Sequence, residues 1–121
     1  MTDKIKWHRI DAIRKMAGGE IAAKVTVPAD SPWFSGHFPG NPVLPGIAQI
    51  DIVFDIINTA SGKGHVLKKV YRTKYRRVIG PDEQIDVVVF PSDPAGDNWR
   101  FEINAGSQTA CRGRLQARAA G

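Results

Sequence analysis

A chain of 121 residues can close one hydrophobic core but not two, so a single domain over residues 1–121 is expected. Its 42% hydrophobic and 24% charged residues exclude a globally disordered chain, and no apolar run is long enough for a membrane-spanning helix. The one cysteine, Cys111, excludes an internal disulfide, and no Cys/His group has zinc spacing, so neither a metal nor another cofactor is expected.

The N-terminal stretch MTDKIKWHRIDAIRKM has no signal-peptide core, which fits a cytoplasmic protein without membrane insertion. Within it Trp7, Ile10, Ile13 and Met16 follow helical spacing, but the segment is short and runs into Ala17-Gly18-Gly19. Helix and strand both remain open there. From Glu20 to Val27 the apolar residues Ile21, Ala23, Val25 and Val27 alternate with Ala22, Lys24 and Thr26, the period of a half-buried strand that Pro28 ends.

Pro45-Gly46 opens, and Ser61-Gly62-Lys63-Gly64 closes, a segment crowded with Ile47, Ala48, Ile50, Ile52, Val53, Phe54, Ile56 and Ile57. Proline near the start and glycine past the end predict a helix. At about fifteen residues the segment exceeds a usual strand, and its apolar surround predicts a buried helix. Its polar positions Asp51, Asp55 and Asn58 share one narrow stripe.

Four strands are expected after it. Leu67, Tyr71, Tyr75 and Ile79 share a parity; Gly80-Pro81-Asp82 signals a turn; Ile85, Val87 and Val89 alternate. Trp99, Phe101, Ile103 and Ala105 alternate with Arg100, Glu102 and Asn104. After a turn at Gly106-Ser107, Cys111, Leu115 and Ala117 oppose Arg112, Arg114 and Arg118. Antiparallel strands with one buried helix make an α+β domain whose sheet wraps the helix.

The formal charge of +5 is uneven. Lys63, Lys68, Lys69, Arg72, Lys74, Arg76 and Arg77 precede the next acid, Asp82. Such a run is either a solvated strand face or a surface for an acidic partner. No nucleic-acid-binding motif accompanies it, so nucleic acid is not expected as a partner.

The stretch WFSGHFPGNPVLPGIAQID sets three prolines and three glycines ahead of the helix, which predicts a rigid loop of defined path. His37 lies inside it. A lone histidine is more often structural or exposed than catalytic, although histidine is the side chain best suited to proton transfer near neutral pH. Asp51 is equally open: a solvent-facing stripe or a paired functional carboxylate.

The string GHFPGNPVLPG followed by Asp51 on the helix resembles the 3-hydroxyacyl-acyl-carrier-protein dehydratases of the FabZ/FabA type. KVTVPADSPWFSGHFPG, YRRVIGPDEQIDVVV and WRFEINAGSQTACRGRLQA extend the resemblance over roughly residues 20 to 118, with the N-terminal stretch as a first strand. PGIAQID also resembles the dehydratase-like proteins of aryl-polyene pathways. The resemblance implies a hot-dog fold, a curved antiparallel sheet around one long central helix. It also implies a homodimer, in some relatives assembled further, whose interface pairs His37 of one subunit with Asp51 of the other.

The activity implied is loss of water from a 3-hydroxyacyl thioester, carried on acyl carrier protein or coenzyme A, to give the trans-2-enoyl thioester in fatty-acid or related acyl-chain synthesis. A neutral imidazole at His37 takes the C2 proton. A carboxyl at Asp51, kept protonated by burial, gives a proton to the leaving hydroxyl. The Gly46 N–H at the helix N-terminus receives the thioester oxygen, with the missing side chain letting substrate approach, while Pro45 has no N–H to offer. Phe38, Pro39, Gly40, Val43 and Pro45 would line the pocket, and the His37–Phe38 peptide is cis in relatives. Lys68, Arg72, Lys74, Arg76 and Arg77 are candidates for docking the acidic carrier, with Lys68, Arg72, Lys74 and Arg76 on one strand parity. Aspartate at 51 matches the branch that also isomerises the double bond, whereas the short chain matches the dehydration-only branch. A hot-dog thioesterase and a non-catalytic acyl-binding subunit are the alternatives.

Overall fold

The computed structural model describes residues 7–34 and 42–120. In chain order they form strands β1 (Arg9–Lys15) and β2 (Ile21–Thr26), a 3-10 turn at Pro32–Phe34, helix α1 (Gly46–Ser61), and strands β3 (His65–Tyr75), β4 (Gln84–Pro91), β5 (Asn98–Ala105) and β6 (Gln108–Ala119). All six strands join one antiparallel sheet in the order β1-β2-β4-β5-β6-β3. The sheet curves around α1, which makes this the hot-dog fold.

The N-terminal stretch resolves as strand, not helix: Ile10 and Ile13 pair with Val25 and Ala23, and a register shift between Ile10 and Ala12 mimics the longer helical spacing. The later strands follow the alternation closely. Ile85, Val87 and Val89 of β4, Phe101 and Ile103 of β5, and Cys111, Leu115 and Ala117 of β6 are fully buried. They face Ile52, Val53, Ile56 and Ile57 of α1, which are buried as completely. Each such side chain stabilises the fold by about 1.5–3 kcal/mol.

Helix α1 begins after Pro45, in extended conformation, and ends at Gly62, whose φ of 70° lets its N–H bond the Asn58 carbonyl at 3.0 Å. It is not apolar burial all round. Ile47 is 73% exposed and Asp51, one turn on, is exposed as well. These two residues share a face that the sheet does not cover.

The expected parity of the basic stretch does not hold. β3 shifts register between Leu67 and Lys69 and again between Tyr71 and Lys74, with Arg72 in the left-handed region at φ 52°. Each irregularity re-aims the side chains beyond it, so Lys68, Arg72, Lys74 and Arg76 do not form one row. Arg76 and Ile79 lie past the strand's end, and Ile79 is buried, its carbonyl accepting from the Leu44 N–H at 2.8 Å. Among the described residues β3 pairs only with β6, and no described strand covers its other edge. Val66, Leu67, Val70 and Tyr75 on it are exposed.

Candidate active site

The first turn of α1 carries the polar groups of the site. Ala48 and Gln49 both donate to the Pro45 carbonyl, at 3.1 and 3.3 Å, and among the described residues no side chain caps the helix. The N–H groups of Gly46 and Ile47 therefore have no partner among the described residues, and the helix dipole makes this end attractive to an oxygen bearing negative charge.

Gly46 does not leave open space, as the sequence suggested. A Cβ there would stand 2.7 Å from Cζ and 2.8 Å from the hydroxyl of Tyr75, so the missing side chain accommodates the tyrosine ring. Desolvation raises the Tyr75 phenol above its ordinary pKa, with a further contribution from Cys111, so it stays a hydroxyl. A cavity of about 390 Å³ adjoins this turn, lined by Val43, Gly46, Gln49, Tyr75, Arg76 and Val78 among others. Gln49 is 3% exposed. Its Nε2 donates to the Leu44 carbonyl at a long 3.5 Å, and its buried Oε1 has no partner among the described residues. An unmatched buried acceptor costs about 1–3 kcal/mol. Neither Tyr75 nor Gln49 was read as functional in the sequence, because each matches an ordinary strand or helix position.

Asp51 stands on the exposed face of α1 beside Ile47, with no hydrogen bond or ion pair to any described residue. The other members of its stripe are engaged. Asp55 Oδ2 meets His8 Nε2 at 2.7 Å, and Asn58 Oδ1 meets His65 Nδ1 at 3.0 Å. His8 is 7% exposed and its Nδ1 has no partner among the described residues. This pair, separated by 47 residues, gave no local signal in the sequence. His37, Phe38, Pro39 and Gly40 lie outside the described residues, as does the His37–Phe38 peptide. Val43 and Pro45 are half-buried beside the helix start.

The basic candidates separate into different surroundings. Arg77 is committed within the fold: it pairs with Glu83 at 2.8 Å, and its Nε donates to Gln108 at 2.8 Å. The guanidinium holds the Glu83 carboxyl below its usual range. Arg76 is exposed at the rim of the cavity beside Gly46. Arg72 and Lys74 line a separate groove formed with β5 and β6, and Lys68 is exposed on β3. Among the described residues no group of three or more His, Cys, Asp or Glu could hold a metal ion. No helix among them is long and apolar enough to cross a membrane.

Residues 13–114 match the dehydratase family described as ApeI-like, ApeI dehydratase. The 3-hydroxyacyl-acyl-carrier-protein dehydratase FabZ of Anaplasma phagocytophilum is 30% identical over 110 residues, covering 79% of this chain and 74% of that protein. The corresponding FabZ of Paramagnetospirillum magneticum is 28% identical over 106 residues, covering 79% of this chain. The match spans only 66% of the Paramagnetospirillum protein's length. Among solved structures, the dehydratase heterocomplex ApeI:P from Xenorhabdus doucetiae superimposes with a TM-score of 0.80 at 24% identity, over 91% of this chain and 96% of that one. A hypothetical thioesterase with coenzyme A from Streptococcus pneumoniae gives 0.65 at 12% identity, over 94% and 86% of the two chains. At these identities the structural likeness is one of fold.

Proposed function

Because the chain belongs to the ApeI-like dehydratase family, we propose that it removes water from a 3-hydroxyacyl thioester, delivered on acyl carrier protein or coenzyme A, to form the 2-enoyl thioester. The observation that carries this reading is the family match across residues 13–114, which spans both the His37 loop and Asp51. The exposed face of α1 that carries Ile47 and, one turn on, Asp51 supports it.

In this reading the thioester carbonyl oxygen rests at the Gly46 N–H, where charge developing on it meets fixed donors. Neutral His37 takes the C2 proton, and the carboxyl of Asp51 protonates the departing hydroxyl, so one proton is removed as one is given. Gln49 and Tyr75 line the same cavity.

A carboxyl acid needs a water-poor setting, and the single chain leaves Asp51 in solvent. A second subunit laid over the Ile47–Asp51 face supplies that setting and brings His37 of one subunit to Asp51 of the partner subunit. The open edge of β3, with Val66 and Val70 exposed, suits continued strand pairing between subunits. We take the second subunit to be another copy of this chain. The ApeI:P heterocomplex makes a different hot-dog chain the second reading. A reducing cytoplasm suits the one buried free thiol.

Incubation with a panel of 3-hydroxyacyl-carrier and coenzyme A thioesters, read by mass spectrometry, tests the activity. Loss of one water with the thioester intact is expected. Release of free thiol would instead identify a thioesterase, and unchanged substrate throughout an acyl-binding subunit.

A further inference from the structure

The outer face of the sheet, opposite α1, carries a groove of about 280 Å³ between β3, β5 and β6. Arg72, Lys74, Arg100, Arg112 and Arg114 surround it, and Phe101 and Gly113 contribute to its floor. Glu102 is the one carboxylate in its lining, and it is already bound to Arg100 at 3.0 Å. Arg100 also lies over the Phe90 ring at 4.0 Å. Arg72, Lys74, Arg112 and Arg114 have no ion pair with any described residue.

Strand register makes this grouping costly. Arg100 stands directly opposite Arg114, and Lys74 directly opposite Arg112. Like charges facing across a strand pair are destabilising. Arg72 is also held in a left-handed backbone at the β3 irregularity, a conformation unfavourable for a side chain that is not glycine. Two like-charge pairs and one strained residue converge on the same groove, where the one carboxylate, Glu102, stands opposite Arg112 in register but is bound to Arg100, leaving five cations against one acid. Guanidinium groups match phosphate oxygens two at a time, more closely than ammonium groups do. The groove offers no free aromatic ring for base stacking: Phe90 is covered by Arg100, and Lys69 lies over Tyr71 at 5.0 Å.

We propose that this groove binds a compact ligand bearing two or more phosphate groups, at a site separate from the α1 cavity. The ligand neutralises the facing cations and thereby stabilises the sheet. Its source is either a soluble oligophosphate or a phosphorylated lipid headgroup, which present the same chemistry.

The test is calorimetric titration of the full chain with inorganic tripolyphosphate, comparing wild type, Arg112→Gln with Arg114→Gln, and a control pair of equal charge change at exposed Lys15→Gln with Lys63→Gln. Binding should weaken at least about tenfold in the arginine pair, at the scale of losing charge-assisted bonds, and stay close to wild type in the control. The arginine pair should also melt no lower than wild type without ligand. If it fails to fold, Arg72→Gly with Lys74→Gln replaces it, since glycine accepts the backbone at 72. Flotation with phosphatidylcholine vesicles containing phosphatidylinositol bisphosphate, against vesicles of matched charge containing phosphatidylglycerol, separates the sources: preference for the bisphosphate vesicles identifies a headgroup, and binding to tripolyphosphate alone a soluble ligand. Equal affinity of wild type and arginine pair, equal weakening in the control, or loss of carrier-protein binding without any tripolyphosphate binding overturns the proposal. None of these outcomes depends on dehydratase activity.

Discussion

The ring of Tyr75 fills the space that a side chain on Gly46 would need, with its Cζ 2.7 Å from where a Cβ would stand. A strand end is thereby packed on the first turn of the helix that holds the unpaired N–H groups. Gly46→Ala should displace the exposed Tyr75 ring and destabilise the protein by no more than about 1 kcal/mol, the low end of overpacking costs. In a Tyr75→Ala background the same change should cost less, by a coupling of at least about 0.5 kcal/mol. Denaturant unfolding of the four variants measures this. Strictly additive costs would mean that the two residues do not compete for the space.

Legibility in the sequence divides along physical lines. Where a strand buries one face evenly, as in β2, β4, β5 and β6, the period of apolar residues marked the element and its core positions; α1 was marked as an element, but Ile47, counted with its apolar surround, is 73% exposed. β3 was misread because two irregularities shift its register, and a two-residue period carries no trace of an inserted residue. The N-terminal strand stayed ambiguous for the same reason. The His37 loop and the carboxylate at Asp51 were singled out only through family resemblance. The Gly46–Tyr75 packing and the His8–Asp55 pair were not legible, because residues distant in sequence create them.

Asp11 gives the stability a sign with pH. Its carboxyl accepts from Arg9 at 2.6 Å, from Thr26 at 2.6 Å and from Gln84 at 3.1 Å. The Arg9 bond first, then Thr26, holds its pKa down at about 2 from an ordinary 3.8. A carboxylate with a lowered folded pKa stabilises the fold above its unfolded pKa, and this contribution is lost as pH falls from about 4 through 2. Asp11→Asn should therefore lower the melting temperature at pH 6 and cost much less at pH 2. A cost equal at both would show that the ionised carboxylate is not what ties β1 to β2.

Cys111 is fully buried on β6, and desolvation pushes its thiol up to about 12. Thiolate is the reactive form, so iodoacetamide at pH 8 should label the native protein negligibly and the unfolded protein fully. Rapid native labelling would show that β6 opens or that the thiol is not enclosed.

Carrier docking should depend on position, not on total charge. Arg76 borders the cavity at Gly46, whereas Lys68 is exposed on the β3 strand and Arg77 is already paired. Arg76→Glu should raise KM for a carrier-bound substrate several-fold and weaken its salt dependence, since steering between charges is screened by salt. It should leave turnover of a short pantetheine thioester nearly unchanged. Lys68→Glu should have the smaller effect on KM. Equal effects of both reversals would mean that long-range charge and not docking at the cavity is responsible.

The most direct test of the two-subunit site is complementation between His37→Ala and Asp51→Asn. Each variant should lose at least about 100-fold in dehydration rate, the scale for removing a general acid or base. Asp51→Asn should melt close to wild type, because Asp51 makes no bond to a described residue of its own subunit and the amide matches a protonated carboxyl in size. Mixed under conditions where subunit exchange is demonstrated, the two inactive proteins should recover activity well above either alone, because a mixed dimer holds one intact His37–Asp51 pair. No recovery despite proven exchange would contradict a site shared between two copies of this chain.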